Sequence, residues 1–593
     1  MKFLSTSFVS LAIGISLAAA QQPDPVDAAC TANLPQLAIS QEVDAARSIA
    51  PRKRVAVLLL AADFLWTKDE ELARSYFSEA FKTAKRHFDE NGHETISPVR
   101  GNGIYIGLSD LRFDTAKAVA KRDPAWSEKM INEILAADRD LARKLDPEDR
   151  SRSLVETLYL AGANAGSNPA FSLKLFRRAM REPLNRAWYD ALYRAADRNR
   201  ALADQVYAEA LTVYAGSRPG PLLFLSAYPF ARQRIFGLHG MGYGTVVPAR
   251  FEKNDDLSLR FLQVFLARAA SLAEDPERAI SDDLISGFPD ALLVFTSLLE
   301  MEPIVADRFP ELTERLVLAR VGASAMLTDS LRRQLDHQTA FRNRTAPTFE
   351  KRIAELEEAD STGKLTDLMI IYLFSYMDLT EAQLKMIEPF LAKLSEPVLR
   401  ANAFNHYWFL RSVKSIQEKR WDEVERLAAK TADIDLRAAV LFRSVTDQMK
   451  DPDSRPNAFE TLNRLSKLVR SAPDSAAKAK ILFGLADKYV GFNRTIAFDE
   501  LNEAVRVSNK VPEIDLLDTS IRRRLEPKGF TFGYDFPITE STFDKAFASL
   551  SKEGVDLPLA FARGFDDRFN RVVSIVAIAR VCEAAQAAAI PRP

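Results

Sequence analysis

Two cysteines and five histidines are all that 593 residues contain. So few sulfur and imidazole ligands leave a multi-ligand transition-metal site without material. Neither Cys30 nor Cys582 has a histidine near it in sequence to activate a thiol nucleophile. An excess of charge of one sign is missing too. The 80 basic side chains face 81 acidic ones, which gives no concentrated positive footprint of the kind nucleic acid demands. Beyond the N-terminus no long apolar run occurs. The nearest, VAVLLLAADFLW (55–66), falls well short of the roughly 20 residues that cross a bilayer as a helix. A soluble mature chain with no transmembrane span is therefore expected. No GxSxG elbow, Walker loop or zincin motif is present.

What is there begins with an export signal. Lys2 precedes an uncharged apolar stretch, 3–20, and Ala18-Ala19-Ala20 before Gln21 fits a small-residue cleavage site. The polar segment QQPDPVD follows, with no basic stop-transfer flank. Residues 1–20 are thus expected to be a removed signal peptide, and the protein to be exported, periplasmic or extracellular. The acidic, proline-containing segment 22–27 separates Cys30 from that apolar stretch, which argues against lipid attachment there. An oxidising compartment permits a disulfide between Cys30 and Cys582; the sequence leaves a bond and two free thiols both open.

Almost every other segment has helical periodicity, punctuated by Pro, Gly, Asp and Asn. Ala73, Phe77 and Ala80 fall at i, i+4 and i+7 on one helical face. The same spacing returns as Ala497, Leu501, Ala504 and as Ala203, Tyr207, Ala210. A glutamate (Glu79, Glu503, Glu209) precedes the last alanine each time. Ala62 lies eleven residues before Ala73, as Ala486 does before Ala497, and a looser copy has Ala161, Ser172, Phe176 and Ala179. Small residues at a crossing let two helix backbones approach, while the aromatic or leucine fills the groove beside them. One such hairpin cannot bury its own apolar face, but a stack of them can.

With Val57, Leu60, Ala61 and Phe64 on the preceding helix, this pattern resembles the tetratricopeptide class of repeats. It is closest at 57–80 and again at 482–504. Val57 replaces the usual Trp, and the closing Pro is not regularly placed. The expectation is an all-α fold, an α–α superhelix (solenoid) of irregular helical hairpins. What the resemblance implies about function is binding, since such arrays usually hold proteins or peptides.

Three stretches interrupt the rhythm: GHETISPVRGNG (92–103), IFGLHGMGYGTVVP (235–248) and RNRTAPTF (342–349). They suggest an N-terminal helical region at 21–234, a glycine-rich connecting loop at 235–248 and a middle region at 249–345. A C-terminal repeat region at 346–527 and a cap at 528–593 follow. In the cap, Phe530, Phe532 and Tyr534 alternate as in a short β-hairpin or an extended loop. The runs Arg52-Lys53-Arg54 and Arg522-Arg523-Arg524 read as solvated helix ends.

Three groups invite a chemical reading. In the glycine-rich loop, His239 and Tyr243 stand among Gly237, Gly240, Gly242 and Gly244, a candidate binding loop or a long connection. His87 and His93 lie near Asp89, Glu90 and Glu94, but six residues separate the histidines and Gly92 intervenes, which is wrong spacing for helical metal ligands. His406 sits in NAFNHYWFL, as a core residue or the lining of a pocket. No catalytic residue, metal ligand or cofactor is assigned.

The expected function is that of an exported, non-enzymatic protein- or peptide-binding scaffold or assembly factor. The alternative is a carbohydrate-active or peptidoglycan-processing enzyme on an α/α superhelical or toroid scaffold. Against its lytic transglycosylase version, the Gly-Leu-Met-Gln stretch that follows the catalytic Glu-Ser in those modules is missing. N-terminal sequencing of the exported protein should read from Gln21; a chain retaining Met1 in the membrane pellet would refute the signal-peptide reading.

Overall fold

The computed structural model describes residues 30, 34–96, 106–141, 147–237, 245–280, 289–333, 335, 348–376, 379–512, 514–528, 531–537, 542–552 and 554–589. The expected signal peptide therefore lies outside the described residues. The chain divides into two compact units: residues 50–355 form one, and residues 1–49 with 356–593 form the other. The segment 235–248 lies inside the first.

Ahead of the 50–355 unit comes α1 (Leu34–Ala45), which belongs to the other one. The unit itself begins with α2 (Pro51–Leu65), α3 (Glu70–Asn91), the two-residue strands β1 (Thr95–Ile96) and β2 (Ile106–Gly107), α4 (Leu111–Ala120) and α5 (Pro124–Leu141). It continues through α6 (Pro147–Asn164), α7 (Pro169–Ala179), α8 (Ala187–Arg198), α9 (Arg200–Val213) and α10 (Pro219–Leu222). It ends with α11 (Asp255–Ala270), α12 (Pro276–Ile280), α13 (Asp290–Arg308) and α14 (Thr313–Ala325).

After α15 (Phe349–Ser361), the second unit contains α16 (Asp367–Ile371), α17 (Glu381–Leu391), α18 (Pro397–Gln417), α19 (Trp421–Lys430) and α20 (Ile434–Gln448). Then come α21 (Arg455–Ser471), α22 (Ala476–Tyr489), α23 (Arg494–Lys510), β3 (Ser520–Leu525) and β4 (Phe532–Pro537). It closes with α24 (Phe543–Ser551), α25 (Asp556–Arg563) and α26 (Arg568–Ala589). The fold is all-α, built of repeated helical hairpins whose neighbouring helices pack against each other, as α2 with α3 and α22 with α23.

The small-residue spacing marks the crossings. Ala62 and Ala73, Ala161 and Ser172, and Ala486 and Ala497 are all fully buried. At one of them Ser172 Oγ donates to the Ala161 carbonyl at 2.7 Å. The pair α4–α5 repeats this with Ala116 and Ser127, again eleven residues apart, at 2.8 Å. What sets the offset is the turn. Asp69, Asp123, Asn168, Asn199 and Asn493 each accept a hydrogen bond from the backbone N–H three residues on. Each thereby caps the second helix four residues before its small residue. The backbone N–H of each donates to a carbonyl of the previous helix, from Asp69 to Leu65 and from Asn493 to Tyr489 for instance. Cap and helix end are thus tied in one turn.

The glutamates before the last alanine tie neighbouring helices together. Glu79 of α3 pairs with Arg54 of α2, and Glu209 of α9 takes Arg177 of α7 in a two-pronged bond at 2.8 Å. Glu503 pairs with Arg506 on its own helix at 2.6 Å and lies 3.9 Å from Lys478 of α22.

The basic runs are not simply solvated. Arg52 and Arg54 do sit at the start of α2, but both are ion-paired. Arg522-Arg523-Arg524 is not a helix end at all. It lies in β3, which pairs antiparallel with β4 in the register Arg523↔Tyr534. Alternation with Ile521 (3% exposed) and Leu525 (fully buried) turns the strand's apolar residues inward.

In the unit that holds both chain ends, Cys30 and Cys582 form a disulfide with Cα atoms 5.2 Å apart. Helix α1 packs against α26, with Ile39 and Val43 buried and Glu42 bound to Arg571 at 3.0 Å. The bond spans a sequence separation of 552 residues, so in the chain-entropy picture it stabilises by on the order of 6 kcal/mol. Thiol counting on the denatured, unreduced protein should find none. Cys30→Ser should lower the melting temperature of this unit and speed hydrogen exchange in α1; unchanged exchange would show that packing alone holds the helix.

Candidate functional site

The candidate binding residues His239 and Tyr243 lie outside the described residues. The stems of their loop are described, and they are pinned. Thr245 N–H donates to the Gln233 carbonyl at 3.1 Å. The Tyr189 hydroxyl of α8 donates to the same carbonyl and accepts from Thr245 N–H at 3.3 Å. Burial pushes the Tyr189 phenol up to about 12, so it stays a donor at any ordinary pH. One turn into the loop, Gly237 N–H donates to Glu300 of α13 at 3.0 Å, and Arg232 reaches the same carboxylate at 2.8 Å.

The His87 group does come together, as a structural knot. His87 Nε2 is 3.0 Å from Glu94 Oε2, and Arg52 Nε donates to the same oxygen at 2.6 Å. Burial raises the Glu94 carboxyl, but the hydrogen bonds from His87 and Arg52 outweigh it and hold the group below its ordinary range. The His93 ring packs edge-on to that of Phe88 at 5.0 Å. The cavity beside them is about 10 Å³, room for one water. Among the described residues no group of three His, Cys, Asp or Glu is placed to hold a metal.

His406 is 4% exposed, beneath the β3–β4 hairpin. Its ring lies 3.9 Å from that of Tyr534 and 4.8 Å from that of Phe374, centroid to centroid. It is part of a core.

A surface shaped to receive another molecule lies elsewhere in the same unit as the glycine-rich loop, at residues with no motif to mark them. Between α11 and α14 runs an open groove of about 220 Å³, lined by Leu266, Ala269 and Ala270 on one side and by Leu318, Ala319 and Gly322 on the other. Leu316, Ala319 and Ala323 turn the inner face of α14 into the core. Its outer face then carries Leu318 at 65% and Val321 at 60% exposure. Arg315 stands exposed at one rim. A Cβ added at Gly322 would meet nothing within 4 Å, so the groove floor is open there. The sequence signal was LVLARVGASA (316–325), more apolar around its circumference than a one-faced helix requires. No helix among the described residues is long and apolar enough to cross a membrane.

No protein-family model matches the chain, and no curated protein matches it either. Among solved structures it is similar to a circular tandem repeat protein with novel repeat topology and enhanced subunit contact surfaces. The identity is 12%, over 94% of this chain and 100% of that one, with a TM-score of 0.22.

The loop stem gives a sharp expectation. Gly237 has φ +78°, and a Cβ there would press on Ser297 Oγ and sit 2.9 Å from the Leu293 carbonyl oxygen. Gly237→Ala should cost about 2–4 kcal/mol, from backbone strain and overpacking together. Chemical denaturation measures it, and a loss under about 0.5 kcal/mol would mean the stem is not packed onto α13.

Proposed function

We propose that this is an exported helical-repeat protein of tetratricopeptide-like kind that acts by binding rather than catalysis. The α11–α14 groove takes an apolar segment of a protein partner. The observation that supports this is the pair of large aliphatic side chains, Leu318 and Val321, held 65% and 60% exposed on a rigid helix beside an open apolar groove. Single exposed apolar residues are ordinary, whereas a contiguous patch with concave relief is what partner sites present. Gly322 leaves space for a side chain from outside. Export rests on the N-terminal signal described above.

The test pairs two substitutions of opposite sense. Gly322→Ala fills part of the groove and replaces a mid-helix glycine, so it should raise stability by about 0.5–1 kcal/mol while weakening partner binding. Leu318→Asp should leave the melting temperature within about a degree and abolish binding. A photo-crosslinker at position 321, used in the exported fraction, reports the contact: discrete adducts lost with Leu318→Asp support the groove. Adducts indifferent to both substitutions refute it.

A further inference from the structure

Among the described residues the β3–β4 hairpin is the one extended element of its unit, and it covers a group that suits burial poorly. His406 of α18 is nine-tenths buried, and its Nδ1 has no hydrogen-bond partner among the described residues. Phe374, Phe409, Phe532 and Tyr534 surround it, with ring centroids between 3.9 and 6.4 Å away. Two of those rings, Phe532 and Tyr534, belong to β4, on one face of the strand.

The other hold on the hairpin is electrostatic. Arg523 of β3 donates to Asp433 at 2.6 Å and to Asp435 at 2.7 Å. Asp433 meanwhile caps α20 through the backbone N–H groups of Asp435 and Leu436. The packing beneath the hairpin requires a neutral imidazole.

We propose that the β3–β4 hairpin is an acid-released cover. Protonation of His406 detaches it from α18 and uncovers an aromatic floor of Phe374, His406 and Phe409. An imidazolium in that site would lose its water and find no acceptor at Nδ1, so the charged form favours the uncovered state.

The groups facing the site are few. On the hairpin they are the Tyr534 phenol, raised by burial, and Arg523; on α20 they are Asp433 and Asp435. Burial raises the Asp435 carboxyl even though Arg523 opposes it, so through Asp435 acid does not favour release, and the acid dependence of the cover is that of His406. Elsewhere on α18, Arg411 is tied to Glu381 of α17 and Tyr407 to Glu388 of α17. Burial alone shifts His406.

The size of the effect follows from linkage. Covered, the imidazole pKa is lowered to about 3; uncovered, it returns to about 6.5. The uncovered state binds the extra proton, so closure weakens as pH falls through 6.5 toward 3. Between pH 7 and pH 4 the loss is about 200-fold.

Hydrogen exchange on the full mature chain tests this, with protection factors corrected for the pH dependence of the intrinsic rate. Amides of β3 and β4 should lose about 200-fold in protection from pH 7 to pH 4, and those of α22 and α23 far less. His406→Phe keeps a ring that cannot protonate and should reduce the hairpin's loss to under about 10-fold. Equal hairpin protection at both pH values overturns the proposal, as does an undiminished loss in His406→Phe. Should that variant not fold, the imidazole titration followed by NMR in the wild-type chain decides. A midpoint near 6.5 with the hairpin still protected overturns the cover, and a midpoint below about 4 supports it.

Discussion

Everything in this protein rests on how closely two helices of a hairpin approach. Ala116 against Ser127 and Ala161 against Ser172 are crossings at which a larger side chain would have to force the backbones apart, and Ala62, Ala73, Ala486 and Ala497 hold the matching positions fully buried. Close approach lets Phe77, Phe176 and Leu501 fill the groove alongside with no exposed surface. Serine at two of the crossings does more than fit. Its hydroxyl donates across to the partner helix's carbonyl, so a polar group is buried with its bond made.

The turn governs the crossing. A hairpin holds one register only if the second helix starts at a fixed residue, and an Asp or Asn side chain satisfying the first free N–H groups specifies that start. With cap and crossing four residues apart, the local chemistry of the turn sets the long-range packing. Ion pairs such as Arg54–Glu79 and Arg177–Glu209 then join neighbouring helices. Partly exposed pairs of this kind add little energy; their contribution is to favour one neighbour over another.

Much of this was legible in the chain. Helical periodicity, the eleven-residue offset and the Ala-aromatic-Ala face are patterns of nearest neighbours on a helix, and they are there to be read before any fold exists. The caps are equally visible as Asp or Asn four residues before each small residue. The arginine run at 522–524 was misread because charge density looks the same on a helix end and on a strand. Only Ile521 and Leu525, two residues to either side of Arg523, carry the strand period. The α11–α14 groove was harder still. Leu318 and Val321 look like core residues, and nothing within α14 says that no neighbouring helix covers them.

The sequence by itself determined the class of fold, the helical hairpins and where each turns, because those follow from interactions within a few residues along the chain. It determined too that chemistry depending on cysteine and histidine clusters has almost no material. Tertiary structure alone decided which apolar residues remain uncovered, that Arg523 reaches Asp433, that a hairpin seals His406, and that Cys30 meets Cys582. Those outcomes join residues from 90 to 552 positions apart, or turn on the absence of a neighbour. Such relations are fixed by the summed packing of every intervening helix and appear in no local pattern.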